Sequence, residues 1–337
     1  MGTFMRAVVL HSAKDVKVEE VPEPRPPPGW VRLKIEEVGI CGTDKAFYKG
    51  TYKPLKIPLI PGHEVSGIVD DIGEGVPKDV IGSRVTSEIN ISCGKCWFCK
   101  HGLRTHCPFR EVLGISRDGG MAKYMITPYE NIHVINDLSP EEGAFVEPLA
   151  AVIEMIYMQP PEPDSMVAIL GAGTIGLLSL QVLRLLMPKS IVVITRPNSP
   201  KASIARELGA DEVLDTNTVF EYVREATPEG QGFDYVVEAT GSPEGLDLAV
   251  RITRPRGVIA AKSTHGAKVS FDYTLSVVKE LKIISSRCGP FKPAIRLIRN
   301  GLINVRKLLT LKYPLEKAVE AFERSFRRDV IKIHLTP

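Results

Sequence analysis

Five apolar residues, Met166-Val-Ala-Ile-Leu170, run directly into Gly171-Ala-Gly173-Thr174-Ile-Gly176 and then into an apolar stretch reaching Met187. A strand, a glycine turn and a helix in that order leave few folds open. Gly171 permits the tight turn, Gly173 lets the backbone approach a pyrophosphate, and Gly176 lets helix and strand pack closely while the helix amino end faces the phosphates. The flanking rhythm agrees, with strands at Ile191 to Thr195, Glu212 to Leu214, Phe233 to Val237, Gly257 to Lys262 and Leu281 to Ser285, and a helix at Ser199 to Leu208. That alternation predicts an α/β unit built on a doubly wound parallel sheet, with Gly171, Gly173, Thr174 and Gly176 beside a dinucleotide. A glycine-rich turn without such flanks would be weak support.

An NAD site places an acidic side chain about 20 residues past the motif, at the end of the second strand. Here that strand ends in Thr195-Arg196, and no carboxylate occurs between Asp164 and Glu207. Arg196 and Lys201 stand where a 2′-phosphate would lie, and a guanidinium grips phosphate bidentately and stacks on adenine. NADP(H) is therefore expected over NAD(H), with Thr195, Arg196 and Lys201 at the adenosine end. The plainer reading of Arg196 is a solvated surface cation.

Before about residue 150 the pattern is different. Short β-rich runs at Ala7 to Leu10, Val31 to Val38, Gly67 to Asp71, Ser83 to Glu88 and Ala122 to Ile126 alternate with Pro/Gly turns, which predicts an all-β, barrel-like domain. The proline run Val21 to Gly29 reads as an extended connector. After the α/β stretch, Pro293 to Asn300 and Leu315 to Phe326 read as helices and Val330 to Leu335 as a last strand. A chain of 337 residues, 44% apolar and 25% charged, suits two folded domains meeting at a cleft. Its 43 basic and 40 acidic residues leave only +3, too little field to hold nucleic acid or an anionic membrane. The longest charge-free apolar stretch, Ser165 to Leu183, holds three glycines and Gln181, so no membrane span is expected. The amino end lacks a signal-peptide pattern, and Arg6 stands where myristoylation wants Ser or Thr; a cytoplasmic location is expected.

Four of the six cysteines crowd into Cys93, Cys96, Cys99 and Cys107, a spacing that points to metal rather than disulfides. Four thiolates close a tetrahedral shell and leave no open position, so this lobe is expected to hold a structural zinc. A [4Fe-4S] cluster and a nucleic-acid zinc knuckle are the other uses of such thiolates; His106, beside Cys107, is a possible stand-in ligand. A second set is dispersed: Cys41 in Gly39-Ile-Cys-Gly-Thr-Asp44, His63 and Glu64 in Gly62-His-Glu64, and Glu147 in Phe145-Val-Glu-Pro-Leu149. One sulfur, one nitrogen and one or two carboxylates suit zinc with a position left open. Singly, each has a structural reading, and spacing does not show that they converge.

Taken together and in order, the Cys-Gly-Thr-Asp run, Gly-His-Glu, the four-cysteine lobe, Glu-Pro-Leu and the Gly-Ala-Gly-x-x-Gly turn resemble the zinc-dependent medium-chain dehydrogenases over essentially the whole chain, nearest the alcohol, polyol and threonine dehydrogenase branch. The resemblance implies a GroES-like β-barrel catalytic domain, residues 1–152 and 288–337 with a zinc lobe at about 90–110, split by a Rossmann domain, 153–287. It implies two zinc ions per chain. Cys41, His63 and Glu147 would hold the catalytic one, with Glu64 an adjacent or exchanging ligand. Asp44 would accept the far ring N–H of His63, Thr43 would take the substrate proton, Ile175 would press behind the nicotinamide, and Lys332 would approach the pyrophosphate. Family members often carry a histidine five residues after the first zinc cysteine; Ala46 stands there in this chain, which leaves the proton's exit route undefined.

The activity implied is reversible oxidation of a small alcohol, secondary alcohol or polyol, with an aldose 1-dehydrogenase or an L-threonine 3-dehydrogenase as alternatives within the family and a non-catalytic, zinc-stapled NADPH-binding protein as the alternative outside it. Phe47, Tyr48, Trp97 and residues near Phe291 are expected to line the cleft, and Cys288 to be a buried small residue at the second domain junction. The strand Leu281 to Ser285 is expected to pair with its copy, giving a homodimer or homotetramer.

Overall fold

A computed structural model describes residues 3–337. An amino-terminal hairpin, Phe4–Ser12 with Asp15–Pro22, covers a seven-stranded sheet whose central strands are Trp30–Gly39 and Glu64–Ile72. Strands Arg84–Ser87, Tyr124–Pro128 and Ile132–Val134 extend that sheet, and so do two strands from the far end of the chain, Leu309–Pro314 and Lys332–Thr336. Val8, Leu33, Val65, Val85 and Leu335 are fully or almost fully buried in the resulting GroES-like barrel. Register decides where the site forms. Gly39 pairs with Glu64 on one side and with His334 on the other, so the segments leading to Cys41, His63 and Lys332 meet at one end of the sheet. A Cβ at Gly39 would press on the Glu64 carboxylate, which is itself paired with Lys332.

The second layer system is a Rossmann unit. Six parallel strands lie in the order Glu212–Asp215, Ser190–Thr195, Met166–Leu170, Phe233–Glu238, Thr253–Ala261 and Lys282–Ser285. The first strand of this unit in chain order, Met166–Leu170, lies in the middle, with its successors first on one side and then on the other. That reversal opens a crevice beyond its carboxyl end, where the glycine turn follows.

Several boundaries differ from the sequence reading. The helix after the turn covers Thr174–Arg184 and stops short of Met187, which takes a left-handed conformation at φ +54°. The next helix is shorter than expected, Ala202–Glu207. Helices Gly42–Lys49, Val146–Met158, Val219–Ala226 and Gly245–Ile252 were not anticipated. Val146–Met158 escapes a periodicity test because it is buried on nearly all sides, Val146 through Ala150 together with Val152, Ile153 and Met155; a helix without a polar face has no 3.6-residue signal. Pro148 sits in its first turn, where a missing N–H costs nothing. Phe47 and Tyr48 pack in the barrel core, Phe291 is buried against the dinucleotide side and stacked on His133, and Trp97 is exposed on the cysteine lobe. Among the described residues no helix is long and apolar enough to cross a membrane.

Candidate active site

Cys41 caps the amino end of helix Gly42–Lys49 in an extended conformation, and Asp44, one turn in, reaches back to it. Oδ2 of Asp44 accepts the Cys41 N–H at 2.8 Å and Oδ1 accepts the Gly62 N–H at 3.3 Å. One carboxylate thereby holds the segment carrying Cys41 against the segment carrying His63. Gly62 sits at φ +92°, where Met121 and Val38 leave no room for a Cβ. Asp44 does not accept from the His63 ring as expected: Nδ1 of His63 stands 3.9 Å from Oδ1, beyond hydrogen-bond reach, because both carboxylate oxygens are turned to backbone N–H groups. Nδ1 has no partner among the described residues. Burial raises the Asp44 pKa, partly offset by His63 and the two N–H groups.

His63 is buried, which by itself would depress its pKa; the Cys41 thiol, Asp44 and Glu147 outweigh that and hold it well above its ordinary value. Glu147 lies in the first turn of Val146–Met158, buried, its pKa pushed up to about 7 by desolvation and Glu64 against the pull of His63, Lys332 and Lys262. Cys41 and Glu147 are both near enough to His63 to act on its charge. They are less tightly gathered than the four-cysteine set, which is the only group of three or more such side chains among the described residues with all ligand atoms within 4.8 Å. Thr43 is half-buried on the same helix turn, and Ala46 is buried. The donor set of one soft sulfur, one imidazole and one carboxylate suits zinc.

Lys332 and Glu64 stand together. Lys332 is buried, its ammonium paired with Glu64 and donating to the Ile40 carbonyl at 3.2 Å, while the residue before it, Ile331, accepts from Thr174 of the glycine turn. Glu64, expected beside the metal, is correspondingly held by Lys332. His106 accepts or donates with the Thr105 hydroxyl at 3.1 Å and takes no part in the cysteine cluster.

Lys262, missed in the sequence, and Cys288, expected at the domain junction, both feel the charge of Glu147. Lys262, just past the end of strand Thr253–Ala261, is buried and donates to Ala151 O at 2.7 Å, Ser286 O at 2.8 Å and Ser286 Oγ at 2.7 Å, tying the helix that carries Glu147 to the segment before Cys288. Burial brings its pKa down to about 8. Burial followed by the charge of Glu147 raises the Cys288 pKa, which puts the thiol at the edge of the site. A lone lysine and a lone cysteine give no spacing signal in a sequence.

At the glycine turn, Gly171 takes φ +102°, and a Cβ there would meet Ala239 O; a Cβ on Gly176 would meet Gly171 O. Gly173 is the open one, with nothing within 4 Å of where its Cβ would lie, and it caps helix Thr174–Arg184 without any side-chain partner for the free N–H groups. That vacancy at a helix amino end fits a pyrophosphate. Thr174 donates through Oγ1 to Ile331 O at 3.0 Å, Ile175 packs on the dinucleotide-side core, and Thr195 donates to Arg196 O at 3.0 Å. Arg196 is exposed, while Lys201 is half-buried, its pKa lowered by burial and by Arg196 and partly restored by Asp329. Thr174 touches Ile331 and Glu64 pairs with Lys332, so the turn and the Cys41 cluster lie against successive residues of one strand end.

In the lobe, Cys96 Sγ lies 3.5 Å from Cys99 Sγ and 3.8 Å from Cys107 Sγ, close to the edge of about 3.8 Å of a tetrahedron with ~2.3 Å zinc–sulfur arms. None of the six cysteines is in a disulfide. N–H groups of Lys95 and Cys96 lower the Cys93 pKa to about 6, which prepares a thiolate. The lobe is anchored on the ladder Asn90–Ile91 with Glu111–Val112 and by Arg287, which donates to Thr105 O.

Residues 27–137 match the alcohol dehydrogenase GroES-like domain, and residues 174–300 match the zinc-binding dehydrogenase domain. A sorbitol dehydrogenase from Halalkalibacterium halodurans is 32% identical over 99% of this chain and 99% of its own length. A D-arabitol-phosphate dehydrogenase from Enterococcus avium is 33% identical over 90% of this chain and 88% of its own. A zinc-binding dehydrogenase from Sinorhizobium meliloti, solved with NADP bound, superposes with a TM-score of 0.90 at 31% identity, covering 99% of this chain and all of that one. The chain belongs to the zinc-dependent medium-chain dehydrogenases. It is an oxidoreductase acting on small-molecule alcohols.

Proposed function

We propose that this enzyme catalyses reversible oxidation of a secondary alcohol or polyol with NADP(H) preferred over NAD(H), using two zinc ions per chain. Cys41, His63 and Glu147 hold the catalytic zinc, with Glu64 in reserve on Lys332, and Cys93, Cys96, Cys99 and Cys107 hold the structural one. The reading is supported by the joint influence of Cys41 and Glu147 on the buried His63 imidazole, and by the Thr174–Ile331 and Glu64–Lys332 contacts, which fall on adjacent residues beside the glycine turn. When bound, the metal supplies Lewis acidity toward the alcohol oxygen and the nicotinamide a two-electron acceptor. Thr43 takes the hydroxyl proton, Asp44 keeps the two ligand-bearing segments in register, Ile175 backs the nicotinamide, and Lys262 holds the Glu147 helix to the sheet. Ala46 carries no proton onward, so water takes it out. Arg196 and Lys201, with no carboxylate at the end of strand Ser190–Thr195, support the phosphate-bearing dinucleotide.

We take residues 1–152 and 288–337 as the catalytic domain and 153–287 as the dinucleotide domain. A homodimer or homotetramer is supported by edge strand Lys282–Ser285, whose outer side is unpaired, with Ile283, Tyr273, Val277 and Val278 exposed around it. Six free cysteines suit the reducing cytoplasm.

Cys41→Ser is expected to abolish turnover on a panel of secondary alcohols, polyols, polyol phosphates, threonine and glucose, to lower zinc from two per chain to one, and to leave the NADPH Kd intact. An active variant with full zinc content overturns the ligand assignment, and a parent enzyme binding NADH about tenfold tighter than NADPH overturns the cofactor preference.

A further inference from the structure

The segments that carry Cys41, His63 and Glu147 are tied to one another unequally. Asp44 joins the Cys41 segment to the Gly62 segment, and Lys262 joins the Glu147 helix to the Ser286 segment, but neither joins Glu147 to Cys41. A metal shell requires ligand distances good to about 0.2 Å, so a third tie is needed.

Glu37 lies where that tie is missing. It stands in strand Trp30–Gly39, four residues ahead of Cys41, and is only 2% exposed. Lys312, in strand Leu309–Pro314, pairs with Oε1 of Glu37 and with Oε1 of Glu141 at 2.8 Å, so one ammonium bridges two carboxylates. Glu141 belongs to the short helix Pro140–Ala144, which ends at Phe145, the residue that also caps the start of helix Val146–Met158. On its other side, Oε2 of Glu37 stands 3.2 Å from Nδ1 of the fully buried His334, whose ring lies 5.0 Å from that of Phe145. Both arms thus run from the strand before Cys41 to the turn before Glu147. The short helix is also seated on the strand that follows His63: Ser66 is the cross-strand partner of Glu37, and a Cβ on Gly143 would lie 2.6 Å from Ser66 Oγ.

A buried ion pair is poorly suited to adding stability, since apolar side chains of like volume commonly equal it. What such a bridge does supply is a single allowed spacing between the elements it joins. We propose that Glu37 is a positioning residue for the catalytic zinc: through Lys312 and Glu141 on one side and His334 and Phe145 on the other, it fixes the spacing between Cys41 and Glu147. This rests on the assignment of those two residues as zinc ligands above.

The test measures zinc affinity of the full chain by competition with a chromophoric chelator, for the parent, Cys41→Ser, Glu37→Gln and the double variant Glu37→Leu/Lys312→Met. Melting temperature, NADPH Kd and kcat are taken on the same samples. Cys41→Ser identifies which ion is the catalytic one. Glu37→Gln is expected to weaken that ion about tenfold, to lower kcat at unchanged NADPH Kd, and to leave the four-cysteine zinc as it was. The double variant removes both charges and is expected to melt close to the parent while its catalytic zinc stays weak. A role in stability alone gives the opposite result, zinc affinity returning together with the melting temperature, and that overturns the proposal. Catalytic zinc held within twofold of the parent in Glu37→Gln overturns it too, and this variant, equal in size to the parent side chain, decides if the double variant does not fold. Should Cys41→Ser keep both ions, the ligand assignment falls and the proposal with it; loss of one ion there beside unchanged affinity in the Glu37 variants removes the positioning role only.

Discussion

A carboxyl buried beside an imidazole must settle its charge before it can hold a metal, and Glu147 shows which way the chain leans. Its pKa rises from 4.5 to about 7, and that of His63 also lies above its ordinary value. Both groups therefore bind protons more readily in the folded chain than in the unfolded one, so without zinc stability must fall as pH rises. The Glu147 share spans pH 4.5 to about 7 and amounts to about 3 kcal/mol at 1.36 kcal/mol per unit. Urea midpoints of zinc-depleted protein are expected to decline across that window, and Glu147→Gln to flatten the decline; a Gln variant with the parent's slope would place the buried charge elsewhere. Legibility differs residue by residue for a physical reason. Cys93, Cys96, Cys99 and Cys107 sit close in sequence and could be read as a metal shell directly, whereas Cys41, His63 and Glu147 are brought together by sheet register and needed the whole motif order to be read. The pairing of Lys332 with Glu64 could not be read in advance, because it depends on the strand register that brings residues 64 and 332 together. Lys262 left no trace, since a lone lysine carries no spacing signal, and Cys288 is legible only as a small residue at the domain junction.

Among the elements, the glycine turn was read correctly because its constraints are local. Two of its glycines now give opposite expectations. Gly171→Ala puts a side chain at φ +102° against Ala239 O and is expected to cost about 1–3 kcal/mol of stability, seen in thermal unfolding. Gly173→Ala meets nothing within 4 Å and keeps an ordinary φ of −87°, so the fold should stand while the new methyl intrudes on the phosphate; NADPH affinity is expected to drop about tenfold at unchanged melting temperature. Destabilisation by Gly173→Ala with normal binding would mean that the vacancy is not the phosphate's. Helix Val146–Met158 is the opposite case. It carries Glu147 and anchors through Ala151 to Lys262, yet its burial on both sides erased the periodicity that would have announced it.

At the scale of the whole molecule, the sheet edge at Lys282–Ser285 offers unpaired backbone flanked by Tyr273, Val277 and Val278, which are 71%, 56% and 73% exposed. Such an edge invites a copy. Ile283→Lys is expected to halve the mass measured by light scattering, with the zinc content unchanged; an unaltered mass would move the interface elsewhere. The return of strand Lys332–Thr336 to the sheet begun by Trp30–Gly39 also has a bearing on biosynthesis. Ile331 receives Thr174 and Lys332 receives Glu64, so a ribosome that has made nine-tenths of this polypeptide has a nearly complete nucleotide fold but no finished centre. Strand Lys332–Thr336 is thus translated after the whole nucleotide-binding sheet, and the Glu64–Lys332 pair can form only once that strand has joined the barrel.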